Sequence, residues 1–419
     1  MAIASGLGFY NASVYLEFIV AQRGIPVAVG SAATATFFVS FGLVGVPISR
    51  WIAERDPRPV ILAGAVVGGL ALLALGRAET TGMLVLAFAT LGVAFSAISF
   101  VPGTVLINRW FDRRRALALT LATTGLSIGG IVITPLTAGA IERDGLGATT
   151  PWLALTWTLG VVLVTLALIR PFPAALGHEP DGDPAPETPP APVTGLTPGE
   201  VYRTATFRWL TLGVTLLMLS QVGALAHLYG IGVDRVGAAT ASTAVSTVAA
   251  SSVVGRFLGI WVLRHLDALR FTIGLAGLQV LSMALLAVDG GRPGLLLATA
   301  LFGLSVGNLL VLVPVVTVET FGIKPYAQVY AMSQLLGTLG IATGPILFGA
   351  LRDATGSYTP GAGAAAAVSL TATGLLLLSR RARHREGLLE PDVPPPDDAG
   401  EATADVEAPA VNEECDQGC

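Results

Sequence analysis

The sequence predicts an all-α membrane protein of twelve transmembrane helices, arranged as two pseudo-symmetric six-helix bundles. Three observations lead there: a dozen apolar stretches of bilayer length, basic residues gathered on one side of them, and a match of the chain with itself at a constant offset of 210 residues.

The stretches come first. Of the 419 residues 53% are hydrophobic and 12% charged, and the mean hydropathy is +0.71. Soluble domains carry about a quarter charged residues, so a soluble fold of this size is excluded. A hydrocarbon core about 30 Å thick takes about 20 apolar residues as helix. That window places helices 1 to 12 near 3–20, 30–51, 59–76, 83–107, 116–140, 152–169, 209–232, 238–263, 271–288, 294–318, 327–351 and 361–379. No basic segment precedes helix 1, which therefore reads as a retained span and not a cleaved signal. The fifty glycines suit interfaces where helix backbones approach closely.

The stretches divide the chain into a first bundle over 1–171, a linker over 172–205, a second bundle over 206–380 and a tail over 381–419. The linker runs through Pro184-Ala185-Pro186-Glu187-Thr188-Pro189-Pro190 and reads as flexible. Eleven acids lie beyond residue 385 and four between Glu179 and Glu187, so the net charge of −4 belongs to the linker and tail. Those segments read as disordered and acidic, and the membrane body as basic. The two cysteines, Cys415 and Cys419, sit in the tail, so neither a disulfide framework nor a metal cluster is expected in the core.

Orientation follows from the basic residues, which accumulate in cytoplasmic loops. Seventeen fall on the side that carries Arg50, Arg109, Arg170, Arg264 and Arg380, and six on the other: Arg23, Arg77, Arg143, Arg235, Arg292 and Arg352. Both termini and the linker are therefore expected to be cytoplasmic, in a multi-pass protein of the cell membrane. Arg256 remains alone inside helix 8.

At the 210-residue offset Gly45 aligns with Gly255, Trp51 with Trp261, Gly64 with Gly274, Phe111 with Phe321, Pro135 with Pro345 and Gly139-Ala140 with Gly349-Ala350. Helices 7 to 12 thus repeat helices 1 to 6 in parallel orientation. Two halves related by an axis along the membrane normal are a transporter architecture, with substrate bound near the midplane between them.

Asn108-Arg109-Trp110-Phe111-Asp112-Arg113-Arg114-Arg115 after helix 4 resembles the loop of monocarboxylate and oxalate/formate carriers, a branch of the major facilitator superfamily. His227 with Asp234 and Gly237, Gly255-Arg256-Phe257-Leu258-Gly259 in helix 8, and Gly344-Pro345 with Asp353-Ala354-Thr355-Gly356-Ser357-Tyr358 are similar to the same branch. The likeness covers about residues 30 to 380. The loop after helix 2 keeps only Glu54, Arg55 and Arg58 of the superfamily's signature. Two departures bear on proton coupling: animal carriers of this branch keep a lysine near the position of Asn11 and an acid at the position of Ser252.

Candidate functional residues follow from polarity inside the spans. A buried cation costs a few kcal/mol on insertion scales, so Arg256 is expected to face a cavity, with Ser242, Ser246, Ala249 and Ser252 on its side of the helix as a water-lined stripe. Its planar fork matches a carboxylate, and its partner is either the substrate anion or a protein acid such as Glu319. Tyr10, Asn11, Gln221, Asn308, Tyr330 and Gln334 are the further candidate substrate contacts. Glu17 and His227 correspond at the 210-residue offset and, with Glu319, are the proton-coupling candidates, although their place near helix ends also suits a gate. Gly125, Gly129 and Pro135 in helix 5, with Gly344 and Pro345 in helix 11, read as packing and bending positions. Glu54, Arg55, Asn108, Arg109, Trp110, Phe111 and Asp353 read as structural motif residues.

No nucleotide-binding loop, nucleophile elbow or metal-ligand spacing is present, so neither enzymatic activity nor a cofactor is expected. The expected function is alternating-access transport of a small organic anion, a monocarboxylate by resemblance, with protons as candidate co-substrate, by a monomer that binds no nucleic acid. An exporter of hydrophobic compounds on the same fold is the alternative. A membrane receptor or scaffold without transport is a more distant one.

Overall fold

The computed structural model describes residues 1–52, 55–111, 115–173, 196–322 and 326–388. Among them every regular element is a helix. The first half holds α1 (Ala2–Arg23), α2 (Val27–Ile52), α3 (Arg58–Arg77), α4 (Thr81–Trp110), α5 (Arg115–Asp144) and α6 (Leu146–Leu168). The second holds α7 (Ala205–Val236), α8 (Ala238–Val262), α9 (Ala268–Ala287), α10 (Gly291–Phe321), α11 (Tyr326–Thr355) and α12 (Thr359–Arg385). Large apolar side chains point outward from this bundle: Leu168 is 72% and Trp152 70% exposed, as a lipid surround requires.

Local chemistry sets the helix ends. The Thr80 hydroxyl accepts from the Met83 N–H at 3.3 Å to start α4, and Thr204 accepts from Phe207 at 3.1 Å to start α7. Asp267 does the same for α9 through the Arg270 N–H at 2.9 Å. Gly237, at φ +86°, makes the turn from α7 into α8 that a residue with a Cβ adopts only under strain.

The two-fold repeat extends to the irregularities. α4 breaks at Ser99 (φ −110°, ψ −112°), because Pro102 has no N–H and its ring crowds the Ile98 carbonyl. The position 210 residues on is Leu309, and α10 bends there by 46° between Leu309 and Leu312, ahead of Pro314. Packing repeats as well. α2 lies on α4 and α3 on α4 and α6; in the second half α8 lies on α10 and α9 on α10 and α12. Across the halves α2 meets α11, α8 meets α5, and α1 meets α7 on the axis.

Two segments differ from expectation. Within the linker expected to be flexible, Pro198–Arg203 forms a short helix whose Thr197 and Glu200 make a capping box. Residues 381–388, expected in the disordered tail, are ordered at the end of α12 and beyond it. Arg383, only 2% exposed, lies 3.9 Å from Asp267 and donates to the Glu319 carbonyl at 3.3 Å. The Glu386 carboxylate accepts from the Ala205 N–H at 2.7 Å and the Thr206 hydroxyl at 2.6 Å, so it fastens the start of α7 to the end of α12. Glu54, Asp112, Arg113, Arg114, Lys324, most of the linker, and the tail beyond residue 388 with its cysteines lie outside the described residues.

Candidate functional site

α5 and α8 cross near their middles because the residues there are small. A Cβ on Gly130 would strike Ala249 and the Tyr10 ring, so only glycine lets α5, α8 and α1 meet at this point. At the crossing the hydroxyls of Ser127 and Ser252 lie 2.6 Å apart, one from each half. Arg256, 8% exposed, reaches over the seam. Its Nη1 donates to Ser127 Oγ at 2.8 Å and to the Thr123 carbonyl at 3.1 Å, and its Nε to the Gly307 carbonyl at 3.2 Å. Nη2 has no hydrogen bond among the described residues. The Tyr10 phenol adjoins Ser127, Ser252 and the guanidinium.

The stripe expected to line water is therefore folded against α5. Ser246 donates to the Gly130 and Ile131 carbonyls at 3.4 and 3.3 Å, and Ser242, which is exposed, bonds within its own helix. Arg256 does not pair with Glu319. That carboxylate accepts from the Ala268 N–H at 3.0 Å near Arg383, at the start of α9, where it caps a helix.

Asn11 and Gln221 occupy positions 210 residues apart on α1 and α7. Both are buried, and both carry amide atoms without hydrogen bonds among the described residues: both heteroatoms of Asn11 and Oε1 of Gln221. The π-helical turn Ser5–Tyr10 shifts the register of α1 immediately before Asn11. Asn308 instead fills the space left by Gly255 and Gly259 on α8 and donates to the Leu304 carbonyl at 3.1 Å, a packing role. Gln334 is exposed on α11, and Tyr330 is half-buried on the same helix. No hydrogen bond described here joins either of them to Arg256.

A second polar group closes the face that carries Arg23, Arg77, Arg143, Arg235, Arg292 and Arg352. The Asp353 carboxylate, on α11, accepts from the N–H groups of Val27 (2.8 Å) and Ala28 (2.7 Å), the first two residues of α2 in the other half. It thus caps a helix across the two-fold seam. Close behind, Gly349 brings α11 against Ala28 and Ser31. His227 on α7 is 1% exposed, and its Nε2 lies 3.0 Å from both Ser31 Oγ and the Pro345 carbonyl. Glu17 on α1 meets the Tyr358 hydroxyl over Gly230, with Arg352 and Asp234 as neighbouring charges. Arg352 pairs with Asp234 at 3.2 Å and sits 5.0 Å over the Tyr358 ring.

The remaining motif residues hold the opposite face together. Arg109 donates to the carbonyls of Ile52, Arg55 (3.0 Å) and Pro171 (3.1 Å), and Trp110 to that of Arg170 at 3.0 Å, which joins α4 to the ends of α2 and α6. Arg55 lies over Trp51, while Asn108 and Phe111 are exposed. Gly129 sets α5 against the Ala2 carbonyl of α1, and Gly344 sets α11 against the Leu219 carbonyl of α7; Gly125 makes ordinary contact with Met1. Pro135 and Pro345 lie inside α5 and α11. Ser127, Thr123 and Ser31 carry site contacts that sequence reasoning did not single out. Each is one of several hydroxyl residues in its helix, and only the helix crossings single it out.

A family model described as Major Facilitator Superfamily matches residues 1–345. Among curated proteins, monocarboxylate transporter 13 of Bos taurus is 28% identical over 358 residues, covering 83% of this chain and 80% of its own. Monocarboxylate transporter 11 of Mus musculus is 30% identical over 332 residues, covering 75% and 70%. Among solved structures, a bacterial homologue of the human lysosomal transporter Spinster superposes with a TM-score of 0.63 at 16% identity. The match covers 91% of this chain and 95% of that one.

Proposed function

Because this chain belongs to the major facilitator superfamily, and is a membrane transporter and not an enzyme, we propose that it carries a small organic anion, a monocarboxylate, by alternating access with proton symport. The observation that carries this reading is Arg256: a guanidinium at the seam between the halves with two nitrogens held by neutral acceptors and, among the described residues, neither a carboxylate paired with it nor a hydrogen bond to Nη2. A fixed cation in a low-dielectric seam favours an anion of matching planar geometry. The names of the curated relatives point to the same substrate class.

The substrate carboxylate takes the place of Ser127 on the guanidinium, which loosens the Arg256–Ser127 tie between the halves and lets them rock. Tyr10 and the two amides Asn11 and Gln221 supply the polar contacts to the rest of the ligand. With the Arg-rich face in the cytoplasm of a cell-membrane protein, the Asp353–His227–Glu17 group is the external seal, and the conformation described here is closed to the outside. The protein works as a monomer, because each half supplies one wall of the site.

A thermal-shift screen on the purified protein tests this reading. Small monocarboxylates are expected to raise Tm and their neutral amides not, and Arg256→Ala is expected to lose the response. A response to neutral hydrophobic compounds alone would replace it with the exporter reading. For coupling, an imposed proton gradient is expected to drive uptake into liposomes; indifference to the gradient points to uniport or exchange.

A further inference from the structure

Buried histidine hydrogen-bonding settles a tautomer here. Ser31 Oγ gives its own proton to the Val27 carbonyl at 2.6 Å, so toward His227 it accepts. The Pro345 carbonyl only accepts. Both partners of Nε2 are acceptors, and Nε2 therefore carries the proton. Nδ1 is then bare, buried and without a partner among the described residues. The ring is stacked on Phe348 at 5.6 Å and faces Tyr358 at 5.6 Å, with Asp353 as a neighbouring acid. A second proton, on Nδ1, finds no acceptor among the described residues while the seal is shut.

Glu17 beside it does not follow the same rule. Its carboxylate, on α1, accepts from the Tyr358 hydroxyl of the other half, with Arg352 as an attracting and Asp234 as a repelling charge, and Tyr229, buried with its hydroxyl unpartnered among the described residues, lies near Glu17 and Glu142. Closure withdraws water from that carboxylate as well as giving it partners, so opening brings it no proton-binding advantage. His227, for lack of an acceptor in the closed seal, takes a proton more readily with the halves apart.

We propose that this seal is itself a proton-binding site: His227 binds a proton on opening, and acid on this face shifts the carrier to the state open toward it. Asp353, exposed and held by two N–H donors, supplies a tie without a proton. The inference rests on the transporter reading and its orientation, and it gives proton symport a location distinct from Arg256. By linkage, one proton bound only by the open state changes the open-to-closed ratio up to about tenfold per pH unit.

The test needs no substrate. Cys415 and Cys419 are the two cysteines of the chain, so a Cys415→Ser, Cys419→Ser background frees the body for labels. Spin labels on Glu79→Cys and Arg292→Cys, both exposed on this face and in opposite halves, report its opening by electron-electron distance in liposomes. Lowering the pH from 7.5 to 5.5 is expected to move population to the longer distance. His227→Gln is expected to abolish that response. A wild-type distance distribution that ignores pH overturns the proposal, even if no variant folds; so does a His227→Gln variant with the full wild-type response. Failure of carboxylates to bind or be taken up, with this pH response intact, removes the function reading and leaves the proton site.

Discussion

Replacing Asp353 with alanine is expected to open the face it closes. The carboxylate accepts two N–H groups at 2.7 and 2.8 Å, and both belong to the first turn of a helix in the other half. Removing a helix N-cap acceptor costs about 0.5–2 kcal/mol, and loss of the anion at the helix N-terminus about 0.3–1 kcal/mol more. The residue is exposed, and solvent hydrates the freed N–H groups, which favours the lower part of that range. A net change of about 1–2 kcal/mol moves the open-to-closed ratio by about fivefold to thirtyfold. Asparagine caps helices nearly as well as aspartate but offers one acceptor oxygen and no charge, so Asp353→Asn is expected to fall between wild type and alanine. Distances between labels at Glu79→Cys and Arg292→Cys at pH 7.5 read the ratio directly. An unchanged distribution for Asp353→Ala, or a shift toward the closed state, would refute the cross-half capping argument.

Three further outcomes follow. Glu386→Ala leaves the Ala205 N–H and the Thr206 hydroxyl without their acceptor, and a loss of about 1–2 kcal/mol is expected to lower Tm by a few degrees in a thermal melt without changing substrate affinity. Gly344→Val drives a branched side chain into the Leu219 carbonyl of α7, so size-exclusion chromatography is expected to show loss of monodisperse protein, with Gly363→Ala, whose Cβ would meet nothing, as the tolerated control. If both termini are cytoplasmic, the native Cys415 and Cys419 are expected to react with an impermeant maleimide only after the cells are permeabilised; labelling of intact cells would invert the orientation.

Hydropathy and the basic-residue bias were enough to read the spans, because burial in lipid imposes a composition that packing details do not alter. The 210-residue match carried further than helix order: it relates the break at Ser99 to the bend after Leu309, and Asn11 to Gln221. What stayed hidden depended on how helices cross. Nothing in the sequence sets Ser127 apart from the neighbouring Thr120, Thr123 and Thr124, yet the α5–α8 crossing places it 2.8 Å from Arg256. Glu319 was a candidate for a proton or for Arg256 as an acid at the end of a membrane span; the start of α9 reaches it first. The stripe below Ser242 has the polarity of a water-lined face, but small polar residues serve close helix contact equally well, and α5 occupies it. The acidic run after residue 385 concealed Glu386, whose role depends on the start of α7 lying beside it.

The most direct measurement of the central claim is counterflow of a radiolabelled small carboxylate in proteoliposomes by wild type, Arg256→Lys and Arg256→Ala. A charged hydrogen bond contributes about 1.5–3 kcal/mol, so alanine is expected to lose transport by about tenfold to more than a hundredfold. Lysine, which keeps the charge but not the planar fork, is expected to fall between. Wild-type counterflow by both variants would contradict Arg256 as the anchor of the transported anion.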